Sequence, residues 1–156
     1  MRSAVLTVLP LLALPAMAST TGAPAPAPGQ WRQSCEAQHC ATEQTAYAEP
    51  GDKPVLRVRV GNEPEGRAKI VVLAPLGISL RAGLDLVIDS AAPIKLPFER
   101  CTAQGCEVSA VLDQAALEKF VKGTTLTVRY APTDALTASV PLKLDGLAAA
   151  LSSLPR

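Results

Sequence analysis

The chain has 156 residues, with 15 basic and 14 acidic side chains, 48% hydrophobic residues and 3% aromatic ones. That length suits one domain of ordinary size rather than two. The near-neutral charge excludes a strong electrostatic draw toward nucleic acid or anionic lipid, and the few aromatic rings exclude a stacking platform for bases or sugars.

In chain order, Arg2 precedes an uncharged apolar run from Ala4 to Leu14, and Ala16-Met17-Ala18 has the small-x-small form of a cleavage site. Residues 1–18 therefore read as a secretory signal peptide cut after Ala18. Pro10 and Pro15 interrupt the run, which falls short of the roughly 20 apolar residues of a spanning helix. Cleavage would remove Arg2 and leave acids and bases in equal number. Residues 19–30, rich in alternating Ala and Pro, have nothing to bury and read as a flexible tether. The folded domain is expected over 31–156, beginning at Trp31, which is read as a core residue packed against a disulfide.

Strand signals follow. Leu56, Val58 and Val60 alternate with Arg57 and Arg59, so one face is dry and the arginines are read as the solvated side, with a ligand-binding stripe as the less favoured alternative. Residues 61–66 are turn-rich. The unbroken run Ile70 to Leu73 predicts a strand buried on both faces. Gly77 and Gly83 bracket a short segment, and Leu84, Leu86 and Ile88 then alternate with Asp85 and Asp89. Ile94 to Cys101 and Cys106 to Val111 flank Gln104-Gly105 as the arms of a hairpin. Asp113 is a candidate N-cap for a helix with Leu117, Phe120 and Val121 on one face, stopped by Gly123. Leu126, Val128 and Tyr130 form one face of a strand, and Leu136, Ala138, Val140, Leu142 and Leu144 one face of another. Asp145 is read as the cap of a last helix bearing Leu147, Leu151 and Leu154. Seven or more short strands with one or two short helices predict a mostly β fold, a β-sandwich, although an open barrel fits nearly as well.

The cysteines form two C-x4-C pairs, Cys35 with Cys40 and Cys101 with Cys106. An even count in an exported chain argues for disulfides, and six-residue hairpins favour the two local links. Zinc bound by Cys35, His39, Cys40, Cys101 and Cys106 is the rival reading, but export favours oxidation and the spacing is loose. Redox catalysis would call for a C-x-x-C pair at a helix start. His39 is the sole histidine, set between two disulfide cysteines, and is expected on an exposed hairpin turn; a cleft joining it to carboxylates would signal an enzyme instead. There is no G-x-S-x-G elbow, P-loop or dinucleotide fingerprint. Catalytic residues, cofactor and resident metal are therefore expected to be absent, and no small-molecule substrate is evident.

Trp31, Leu73-Ala74-Pro75-Leu76-Gly77-Ile78, Gly83, Leu84 and Asp89 occur in an order that resembles the invasion-associated locus B family of bacterial envelope proteins. Leu96-Pro97-Phe98-Glu99-Arg100-Cys101, Gly105-Cys106, Leu112-Asp113, Gly123, Leu126-Thr127-Val128 and Pro141 to Leu147 with Ala150 continue it. The likeness runs from about Gln30 to Leu154, with a first cysteine loop shorter than the usual one. It implies an exported sandwich of immunoglobulin-like character, with no catalytic motif to carry over. The expected role is a non-catalytic interaction or structural module of the envelope. It would be periplasmic, outer-membrane-associated or secreted, with a protein partner in the envelope or on a host surface. A periplasmic chaperone-like or stress-protective binder is the alternative.

Overall fold

Apolar side chains at every second position make most of this chain into strands, because a pleated strand sends alternate residues to opposite faces. The computed structural model describes residues 29–36, 39–48 and 53–155. The segments expected to be a leader (1–18) and, up to residue 28, a tether lie outside the described residues.

Ten strands are described: β1 (Arg32–Glu36), β2 (His39–Tyr47), β3 (Pro54–Glu63), β4 (Arg67–Ala74), β5 (Leu84–Ile88), β6 (Ile94–Leu96), β7 (Arg100–Thr102), β8 (Gly105–Leu112), β9 (Thr125–Thr133) and β10 (Leu136–Lys143). They form an antiparallel six-stranded sheet in the order β1-β2-β3-β4-β8-β7 and a four-stranded one in the order β10-β9-β5-β6. The product is a β-sandwich, as the strand pattern predicted.

Val58, Val60, Ile70, Val72 and Val108 line the inner face of the larger sheet, and Leu84, Leu86, Leu126 and Val128 that of the smaller; each is at most 1% exposed. Burying each such side chain is worth about 1.5–3 kcal/mol, so this stripe is the main source of stability.

Two short helices close one end. In α1 (Gln114–Lys122) the Asp113 carboxylate accepts from the Ala116 N–H at 2.7 Å, the expected cap, and Phe120 is fully buried. Gly123 stops α1 with an ordinary φ of −70° rather than a left-handed one. Its need for glycine is spatial, since a Cβ there would sit 2.6 Å from Ile88 Cγ2 and 2.9 Å from the Lys119 carbonyl oxygen. In α2 (Leu147–Ser152) the capping position is Gly146, at φ 83°, and no side chain caps the helix. The expectation for Asp145 is thereby corrected; the left-handed turn at Gly146 starts the helix in its place. Leu147, Leu151 and Leu154 are buried together. Among the described residues no helix is long and apolar enough to cross a membrane.

Other local expectations also change. Residues 61–63 continue β3 against Arg67–Lys69, so the turn shrinks to Pro64–Gly66. The run Ile70 to Leu73 is buried on one face only, because Val71 and Leu73 point to the outer side and are half-buried. Ile94 to Cys101 is two strands, not one hairpin arm: β6 pairs with β5 in the smaller sheet and β7 with β8 in the larger. Pro97-Phe98-Glu99 carries the chain between sheets, where proline cannot donate to a ladder. The hairpin tip is Ala103-Gln104, with Gly105 already in β8. Trp31 is half-buried at the margin of the core, and its indole N–H donates to the Lys143 carbonyl in β10 at 2.9 Å.

Candidate functional site

The outer face of the six-stranded sheet follows from its register. Opposed residues of an antiparallel pair share a face, so Glu43, Arg59, Val71 and Ser109 form one outward row across β2, β3, β4 and β8. Thr45, Arg57, Leu73, Glu107 and Arg100 form the next. Thus the Arg57 and Arg59 pair lies over two half-buried aliphatic side chains and faces a third arginine from β7.

The cysteines set the margins of this face. Cys35 is bonded to Cys40 and Cys101 to Cys106, and each pair sits directly opposite in its register, joining β1 to β2 and β7 to β8. The two disulfides therefore staple the two edge hairpins of one sheet. With no free cysteine among the described residues, the set Cys35, His39, Cys40, Cys101 and Cys106 is divided between opposite edges rather than gathered round a metal. The stapled register also pairs the flanking residues: Glu36 with His39 inside the first link and Arg100 with Glu107 outside the second.

Arg59 is held by acids on two strands. Its Nη1 donates to Glu36 Oε1 at 2.8 Å, while Glu43 Oε2 is 3.8 Å from its Nε, too far for a hydrogen bond. The buried Nε has no hydrogen-bond acceptor. Because Glu36 lies on β1 and Arg59 on β3, this pair reaches across β2 on the outer face. Arg100 donates from Nη2 to Glu107 Oε2 at 3.0 Å, and Ser109 Oγ donates to Glu99 at 2.7 Å. Arg57 is exposed and makes no ion pair among the described residues, nor does Lys69.

Two hollows meet along this face. One, of about 250 Å³, lies among Arg57, Arg59, Leu73, Arg100 and Glu107. The other, of about 530 Å³, lies beside β1 and β2 among His39, Gly61, Glu63 and Lys69. Glu36, Arg59 and Val71 line both, so the two form one groove with Glu36 at its middle. His39 is exposed, as expected, yet it shares this hollow with Glu36 and Glu63, the neighbourhood named above as the sign of a possible enzyme. Of those acids, Glu36 is engaged by Arg59. Asp85 and Asp89 are separated in role: Asp85 lies 3.7 Å from Lys95 Nζ, while Asp89 accepts from the backbone N–H groups of Thr124 and Thr125. A third hollow, of about 490 Å³, lies between the helices and is lined by Leu117, Val121, Leu151 and Leu154.

The sequence marked Arg57 and Arg59 chiefly as the solvated side of a strand, and it missed Arg100, Glu107, Glu36 and Lys69. A signal existed for the first two: once Cys101 opposes Cys106, the next pair outward must be Arg100 and Glu107.

Comparison with known proteins places this architecture. The family model described as invasion associated locus B (IalB) protein matches residues 31–155. The crystal structure of invasion associated protein b from Bartonella henselae superposes with a TM-score of 0.71 at 20% identity, covering 81% of this chain and 92% of that one. At that identity the likeness establishes the fold. No curated protein matches the sequence.

Proposed function

Because the chain belongs to the invasion associated locus B family, we propose that it is an exported, non-catalytic module of the bacterial envelope that works by binding another protein. The observation that carries this reading is the grooved outer face of the six-stranded sheet, where arginines and glutamates stand over half-buried Val71 and Leu73. Charged side chains around a small apolar floor suit recognition of a partner's surface. Glu36 and Glu107 in the groove are engaged by Arg59 and Arg100, which favours binding over proton transfer by these acids. The leader at 1–18 and the paired cysteines support export, with the protein acting in the periplasm, at the outer membrane or outside the cell.

Photo-crosslinking from Thr45 on this face, in intact envelopes, tests the reading. Enrichment of a discrete partner is the expected result; recovery of nothing above background removes it. N-terminal sequencing of the exported protein should begin at Ser19.

A second reading, a chaperone-like holder of unfolded segments, is favoured by β10, an edge strand that carries Leu136 at 62% exposure. Suppression of aggregation of an unfolding client would support it, and inertness in that assay would remove it.

A further inference from the structure

We propose that the groove receives an extended acidic segment of a partner protein, whose carboxylates at alternate positions bind Arg57 and Arg59, displacing Glu36. This rests on the reading of the chain as a protein-binding module.

Arg57 and Arg59 lie two residues apart on one face of β3, a spacing of about 6.6 Å along a strand. An extended peptide repeats its own side chains at the same interval. An acid-x-acid segment running along β3 therefore meets the two guanidiniums one for one, whereas adjacent acids on an extended chain point to opposite sides. Carboxylate is the matching chemistry because a guanidinium presents a planar fork of donors that two carboxylate oxygens fill.

Charge and hydrogen bonding supply two further arguments. Arg57 is exposed and unpaired among the described residues, so the hollow has a cation to spare beyond the Arg59–Glu36 and Arg100–Glu107 pairs. Arg59 is under-satisfied in hydrogen bonds, with Glu43 3.8 Å from an Nε that lacks an acceptor and its Nη1 held by a glutamate whose side chain is 73% exposed. An ion pair that open to water is a weak competitor. Glu36 thus acts as a stand-in carboxylate, replaced when the partner's acid arrives. Val71 and Leu73 below offer apolar contact to a neighbouring side chain of the segment.

The test uses the whole exported protein and two short synthetic peptides of equal composition, one with Glu at alternate positions and one with the same Glu residues adjacent. Binding is followed by NMR through the Val71 and Leu73 amides. The alternating peptide should bind about tenfold more tightly than the adjacent one, and R57Q should weaken it by about tenfold. Arg57 is exposed, so R57Q leaves the fold intact. E36Q should tighten binding about twofold to fivefold, because the resident competitor loses its charge. Equal affinity for the two peptides, indifference to R57Q, or tighter binding of inorganic polyphosphate than of the alternating peptide would overturn the inference. The broader reading fails separately. If wild type and R57Q crosslink an envelope partner equally well, the acidic-segment inference falls and the module stands. If neither captures one, the module reading falls as well.

Discussion

The indole N–H of Trp31 and the side-chain amide of Gln44 donate to the same acceptor, the Lys143 carbonyl oxygen, each at 2.9 Å. Trp31 stands before the first strand and Lys143 at the end of the tenth, 112 residues apart. This shared acceptor pins the β1–β2 side of the larger sheet to the edge strand of the smaller one and closes that flank of the sandwich. Gln44, 2% exposed, is one of the few buried polar side chains.

Removing either donor alone should be tolerated better than removing both. Gln44→Ala is expected to cost about 1–2 kcal/mol, and Trp31→Phe about 1 kcal/mol. The double variant should lose more than the sum, since only then does the carbonyl lack both partners. Urea unfolding monitored by circular dichroism gives the three values.

Asp89 takes a left-handed conformation (φ 49°) and accepts from Thr124 N at 3.1 Å and Thr125 N at 2.9 Å. It ties the end of β5 to the start of β9. Asp89→Ala should cost about 2 kcal/mol, through lost charge-assisted hydrogen bonds and the strain of alanine at positive φ. Asp89→Asn, which keeps an acceptor and tolerates that backbone, should cost less. Thermal denaturation of the two variants side by side checks the order.

Gly123→Ala should destabilise by about 1–3 kcal/mol, because the new methyl group meets Ile88 Cγ2, the Lys119 carbonyl and Leu144 at once. Gly123→Ala should lower the melting temperature less in an Ile88→Ala background, where Cγ2 is gone, a partial recovery read against Ile88→Ala alone. Absence of that recovery would place the strain elsewhere.

Each disulfide closes a short hairpin and should contribute about 2 kcal/mol by restricting the unfolded chain. The second should prove more important, since Cys106 is 3% exposed and contributes packing as well. Serine replacement of Cys101 and Cys106 is therefore expected to destabilise more than replacement of Cys35 and Cys40. Non-reducing peptide mapping of the exported protein should recover both local links.

Burial pushes the Tyr130 phenol above its ordinary value of 10.0. Below pH 10 both folded and unfolded chains hold the phenolic proton, and this group leaves stability unchanged. Above it the unfolded chain loses the proton while the folded one retains it, so stability falls as pH rises toward the folded value. Chemical denaturation across that range should show the decline, reduced in Tyr130→Phe.

The central strands were readable because alternation is a local property. Leu56, Val58 and Val60, or Leu126 and Val128, announce a dry face in any context that buries one side. The cap at Asp113 was equally local. Asp145 misled because the turn before α2 is supplied by Gly146, whereas Gly123 stops α1 as expected and only its crowding by Ile88 and Leu144 depended on neighbours brought in by the fold. Val71 and Leu73 looked like two-sided core, since apolarity alone does not say how many layers cover a sheet.

Most strands from Leu56 onward, the local pairing of the cysteines, and the shared face of Arg57 and Arg59 were legible in the sequence, because these depend on residues a few positions apart. Tertiary folding was needed to divide one apparent strand between two sheets at Pro97-Phe98-Glu99. It alone placed Glu36 on Arg59 and put Arg100 across the same outer face. Those relationships arise from strand order and register, which are fixed by the pairing of distant segments around a common core rather than by any local pattern.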